Sequence, residues 1–94
     1  MSTATIRIPT PLRSFTGGAG EVTVEGTTVS QALNALGLLH DGILDRVLDG
    51  EGQVRGFVNI YVGETNVKAL GGLDAPLPDP AVISIVPAVA GGSR

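Results

Sequence analysis

Apolar and polar residues change their spacing several times along this chain, and each change marks a boundary. Thr5-Ile6-Arg7-Ile8 and Glu21-Val22-Thr23-Val24-Glu25 alternate with the period of a half-buried strand. Pro9 and Pro11 stop the first, and the turn-rich Ser14-Phe15-Thr16-Gly17-Gly18-Ala19-Gly20 leads to the second. Residues 5–25 therefore predict a hairpin with a long, flexible, glycine-rich connection. The period then lengthens. Val29, Ala32, Leu33 and Leu36 recur at i, i+3, i+4 and i+7, one apolar stripe of a helix. Thr28-Val29-Ser30-Gln31 fits a capping box, in which the Thr28 hydroxyl and the Gln31 side chain satisfy free N–H groups. Gly37 is the expected C-cap.

Ile43, Leu44, Val47 and Leu48 predict a short second helix before the turn Asp49-Gly50-Glu51-Gly52. Phe57-Val58-Asn59-Ile60-Tyr61-Val62 reads as a strand, with Val58, Ile60 and Val62 on the core side and Phe57, Asn59 and Tyr61 on the other. Gly63-Glu64-Thr65-Asn66 turns the chain. Gly71-Gly72 with Pro76, Pro78 and Pro80 marks residues 67–80 as an irregular connection. Val82-Ile83-Ser84-Ile85-Val86 is apolar on nearly both faces, as a central strand requires, and Pro87 ends it. The order β-β-α-(short helix)-β-irregular-β predicts an α+β sheet with the helix cradled on one face.

Composition narrows what such a domain does. With 94 residues the chain is a single domain, and 43% hydrophobic residues suffice for a core built from Val, Ile, Leu and Ala. Nine acidic against six basic residues give a net charge of −3, with no basic cluster in the sequence and Lys68 the only lysine. Nucleic acid is not an expected partner, because polyanion binding needs clustered cations. Cysteine is absent, which excludes disulfides, thiolate metal sites and a cysteine nucleophile. No metal-ligand spacing occurs, and His40 follows a helix end, where a cation is favoured by the helix dipole. Asp41, Asp45 and Asp49 read as a solvated face rather than a calcium loop. Gly17-Gly18-Ala19-Gly20 joins two strands rather than a strand and a helix, which argues against a phosphate cradle. The N-terminus lacks the pattern of a signal peptide, and the longest apolar stretch is too short to span a bilayer. A soluble, cytoplasmic protein with no membrane partner is the expectation.

One group survives this elimination. Residues 1–87 form the expected domain, and residues 88–94, Ala88-Val89-Ala90-Gly91-Gly92-Ser93-Arg94, a flexible tail. Paired glycines have no Cβ to clash and reach φ > 0 readily, so such a segment threads a narrow channel and presents a main-chain carboxylate within another protein. Asn59 and Tyr61, with Phe57, Val82 and Val86 on the same predicted face, would form an apolar docking patch.

Ile8-Pro9-Thr10-Pro11-Leu12-Arg13, Thr16-Gly17-Gly18, Phe57-Val58-Asn59-Ile60-Tyr61-Val62 and Val86-Pro87-Ala88-Val89-Ala90-Gly91-Gly92 together resemble the ubiquitin-like β-grasp sulfur carriers. That family includes the small subunit of molybdopterin synthase and the thiamine-pathway carrier, and the branch serving cysteine biosynthesis from an activated serine looks nearest. The resemblance implies a mixed sheet of four to five strands with one main helix packed across one face. It implies that an E1-like adenylating and sulfur-transferring enzyme uses ATP to adenylate Gly92. The thiocarboxylate then formed donates sulfur to a biosynthetic enzyme, with no cofactor bound by the carrier and no catalytic side chain of its own. Two departures stand out. Asp79-Pro80-Ala81 replaces a common Asp-Gly-Asp turn, and Ser93-Arg94 follow the glycine pair. If these two residues are native, a peptidase must trim them before Gly92 is adenylated; otherwise they are an addition to the natural chain. Two other readings remain open: a covalent protein modifier, or a subunit whose tail completes a partner's active site.

Overall fold

The computed structural model describes residues 3–87. Five strands make one mixed sheet in the order β2-β1-β5-β3-β4. β1 (Thr3–Arg7) and β2 (Glu21–Glu25) are the predicted hairpin, antiparallel with Ile6 opposite Val22. β5 (Ala81–Pro87) lies between β1, to which it runs parallel, and β3 (Val58–Val62), to which it runs antiparallel. The nearly continuous apolar run of β5 thus sits at the centre of the sheet, as its pattern required. β4 is a two-residue edge strand, Thr65–Asn66, paired with Tyr61 and Val62. The sequence pattern did not separate it from the turn before it. Two residues carry no period.

α1 (Val29–Leu39) covers one face of this sheet with Val29, Ala32, Leu33 and Leu36, all fully buried. They meet Ala4, Ile6, Ile60, Ile83 and Ile85 from the strands, so one apolar layer unites helix and sheet. The Thr28 hydroxyl accepts the Gln31 N–H at 3.1 Å. The Gln31 side-chain Oε1 accepts from the backbone N–H and the hydroxyl of Thr27, each at 2.8 Å. The reciprocal cap therefore forms one residue further back than the motif suggests. Among the described residues, no helix is long and apolar enough to cross a membrane.

Two expectations are corrected. Gly37 does not end α1: the helix runs on to Leu39, with His40 as its extended cap. The glycine instead makes room for α2 (Leu44–Val47), since a Cβ there would sit 2.6 Å from Leu44 Cδ1 and 2.9 Å from Leu44 Cγ. The connection between β1 and β2 is also more built than a flexible loop. Residues Thr10–Thr16 form a 3₁₀ helix with a proline in its first turn, and Gly17 caps it at φ 67°. The buried Thr16 hydroxyl lies 2.8 Å from the Ala19 carbonyl and 3.1 Å from that of Arg13, either of which can take its one proton. The Ile8 N–H donates to the Gly20 carbonyl at 2.8 Å, tying both ends of the loop together. A second 3₁₀ turn, Val67–Leu70, breaks the predicted irregular stretch.

Replacing Gly37 by Ala tests the close approach. Helix propensity alone favours Ala by about 1 kcal/mol. The expected result is nonetheless a net loss of about 1 kcal/mol in urea unfolding, because Leu44 must shift. In a Leu44→Ala background the same change should become stabilising. Stabilisation in the otherwise unchanged chain would refute the packing role.

Candidate functional site

The outward face of the sheet is set by register. Thr5 lies opposite Val82, Arg7 and Tyr61 flank Ser84, and Asn59 lies opposite Val86. Strand alternation then puts Val82, Ser84, Val86, Asn59 and Tyr61 on the face away from α1, while Ile83, Ile85, Val58 and Ile60 are buried beneath it. Val82 and Val86 are 44% and 42% exposed, which is unusual for aliphatic side chains on the central strand. Asn66 of β4 reaches the Asn59 side chain at 3.5 Å, at the outer limit of a hydrogen bond. Four of the five residues expected to share this face do so: Asn59, Tyr61, Val82 and Val86. Ser84 sits among them, a polar centre that the apolar reading of the strand passed over.

Phe57 is the exception. The Val58 N–H donates to the Arg55 carbonyl at 2.9 Å, closing a turn, and pairing with β5 begins only at Val58 opposite Pro87. Phe57 therefore precedes the strand. It is 56% exposed and borders a cavity of about 360 Å³ with Pro11, Leu12, Val58 and Pro87. A pocket with apolar walls and a charged rim of Asp45, Arg46 and Arg55 thus opens beside the last described residue of β5. The sequence could not reveal it, because Pro11, Phe57 and Pro87 come from three distant segments.

Pro87 occupies the final position of β5, held opposite Val58. Ala88, Val89, Ala90, Gly91 and Gly92, with Ser93 and Arg94 after them, lie outside the described residues. What the fold fixes is the point from which they continue: the end of the central strand, between the valine face and the Phe57 cavity. Among the described residues, no group of three or more His, Cys, Asp or Glu side chains is placed to hold a metal ion.

A five-stranded sheet with one helix across it, and a glycine pair following its central strand, define a small protein of the ubiquitin-like β-grasp class. The sequence model of the ThiS family matches residues 6–92, and the chain belongs to that family. The sulfur carrier protein CysO of Mycobacterium tuberculosis is 40% identical over 90 residues, covering 94% of this chain and 97% of that protein. A chain in the crystal structure of the Amycolatopsis orientalis BexX/CysO complex superposes with a TM-score of 0.89 at 39% identity, over 95% of this chain and 99% of that one. The small archaeal modifier protein 1 of Methanosarcina acetivorans superposes with a TM-score of 0.82 at 26% identity, over 98% of both chains.

The two faces of β5 predict opposite responses to charge. Val82→Asp and Val86→Asp, on the solvent side, should each cost no more than about 1 kcal/mol in urea unfolding. Ile83→Asp, which buries an unpaired carboxylate, should leave no cooperative transition at all. Similar losses at all three positions would mean that the register is wrong.

Proposed function

We propose that this chain carries sulfur as a thiocarboxylate on Gly92 and acts as a protein cosubstrate in the cytoplasm. That it is a sulfur carrier follows from its family and from its 40% identity with CysO along nearly the whole chain. The observation that carries the assignment to Gly92 is where the family match ends: it runs through Gly91-Gly92 and stops, leaving Ser93 and Arg94 beyond it.

The chemistry explains the construction. A carboxylate is a poor electrophile until it is joined to a good leaving group. An E1-like enzyme would supply one by transferring AMP from ATP to the Gly92 carboxylate, releasing pyrophosphate. Attack by hydrosulfide then expels AMP and leaves the thiocarboxylate directly. Attack by a persulfide expels AMP to give an acyl disulfide, whose S–S bond a second thiol cleaves to release the thiocarboxylate, an ionised and soft nucleophile at neutral pH. Nothing in this sequence of events requires an acid, base or metal from the carrier, whose part is to hold the reactive atom on a thin tail. Pro87, Ala88, Val89, Ala90 and Gly91 would form that tail. Asn59, Tyr61, Val82 and Val86 would hold the partner, and the Phe57 cavity would lie beside the tail's base.

The favoured acceptor is an enzyme of cysteine biosynthesis, in keeping with the CysO relatives, although sulfuration of another small molecule uses the same carrier chemistry. The BexX/CysO complex supports a partnership with a separate protein. The likeness to small archaeal modifier protein 1 favours a second reading, covalent attachment of Gly92 to a substrate lysine. Intact mass separates the two. Isolated from cells containing its activating enzyme, a carrier shows one oxygen exchanged for sulfur, whereas a modifier appears in larger conjugates.

Two outcomes test the proposal. A chain ending at Gly92 should form an acyl-adenylate with the activating enzyme and ATP, and the full chain should not until a peptidase removes Ser93-Arg94. Equal adenylation of both would sink the trimming step. Tyr61→Asp should raise the KM for the carrier by about tenfold, the equivalent of about 1.4 kcal/mol, while the melting temperature stays close to that of the unaltered chain. An unchanged KM would remove the sheet face from the docking surface.

A further inference from the structure

Four arginines from separate segments converge on the end of β5. Arg7 closes β1 and lies opposite Ser84 in the parallel register. With Arg13 of the 3₁₀ helix it borders a cleft of about 580 Å³ along Ser84 and Val86. Across β5, Arg46 of α2 and Arg55 of the next turn border the Phe57 cavity beside Pro87. These are all the arginines between residues 3 and 87. The carboxylates lining the two cavities are Glu21 and Asp45. The other end of the sheet is reversed in sign. Glu25 pairs with Thr3 at the start of β1, Asp79 accepts the Thr3 N–H at 3.1 Å, and Glu64 occupies the turn between β3 and β4. A chain of net charge −3 therefore turns a cationic end towards the point where residue 88 continues from β5.

Two of these side chains are fixed in advance. Arg13 Nε donates to the Ile8 carbonyl at 3.0 Å, and Arg55 Nε to the Asp45 carbonyl at 2.9 Å. Each bond uses one N–H of the guanidinium and leaves its terminal nitrogens for a carboxylate, which they grip in bidentate fashion. Arg46 is steadied over the Phe15 ring, with Cζ 5.7 Å from its centroid. Arg7 lies 3.8 Å from Glu21, but both side chains are more than half exposed and such a pair is weak. Asp49 also lies within Coulombic range of Arg55. Yet among the described residues the contact of Arg7 with Glu21 is the only ion pair within 4 Å, so internal pairing offsets the four positive charges only in part.

We propose that this collar of arginines docks onto an acidic rim around the channel of the adenylating protein, orienting the carrier before its tail enters. The inference rests on the carrier reading and adds the chemistry of the partner's surface. Complementary charge speeds encounter and fixes orientation more than it tightens the final complex. That suits a carrier that must bind, react and leave.

The test is steady-state adenylation of the chain ending at Gly92 by the adenylating enzyme of its source organism. The carrier and ATP are varied separately between about 20 and about 300 mM salt, a span over which screening becomes strong. For the unaltered chain, kcat/KM for the carrier should fall at least about tenfold with salt. R7E/R46E should lower it about 10- to 100-fold at low salt and flatten the salt response. K68E, outside the collar, should change neither. R7Q/R46Q, expected to fall between, covers the case in which charge reversal unfolds the chain. An unchanged carrier KM in both double variants overturns the collar and leaves the carrier reading intact. A rise confined to the KM for ATP also overturns it, assigning the arginines to the nucleotide. A chain ending at Gly92 that is never adenylated at any salt removes the carrier reading and the collar together.

Discussion

The placement of β5 between β1 and β3 is the constraint on which the rest of the structure depends. Parallel pairing with β1 and antiparallel pairing with β3 satisfy its backbone on both sides, which leaves no free edge at the middle of the sheet. Its alternate residues divide the molecule. Ala81, Ile83 and Ile85 join the layer beneath α1, while Val82, Ser84 and Val86 form the centre of the opposite face. Core and candidate docking surface are thus two sides of one strand, and shifting the register by one residue would exchange them.

The same strand gives the tail a fixed base. Whatever the residues beyond Pro87 do, their origin is held in a fixed place relative to the outward sheet face. Here the origin is Pro87, opposite Val58. The valine face lies to one side of it, the Phe57 cavity to another, and arginines flank both.

Much of this was legible in the sequence where a pattern is local. Period-two alternation marks β1, β2, β3 and β5, and the spacing of Val29, Ala32, Leu33 and Leu36 marks α1, because burial on one face forces those periods. The fold class followed from their order. Gly37 misled because a glycine near a helix end usually caps it, whereas this one yields space to Leu44, a tertiary demand with no local signature. Phe57 misled by one position, since the turn between Arg55 and Val58 decides where pairing starts. The arginines were invisible as a group. No two of them are close enough in sequence to form a basic run, and only the parallel register of β1 and β5 with the placement of α2 brings them to one end. Gly91-Gly92 had the opposite character: the pair stands out locally, from two adjacent residues without Cβ behind an apolar strand, yet it lies outside the described residues.

A central strand that is also the last described strand has a consequence for how the protein is made. Until β5 emerges from the ribosome, β1 has only β2 as a neighbour, β3 lacks its main partner, and the apolar residues beneath α1 have no floor. Parallel pairing between segments so far apart in sequence comes late, after the entropy of closing the intervening chain has been lost. Completion of the sheet therefore waits on its central strand. A copy in which β5 has not paired has no floor beneath α1 and no central partner for β1 or β3, so the position of this one strand makes core and sheet form together or not at all.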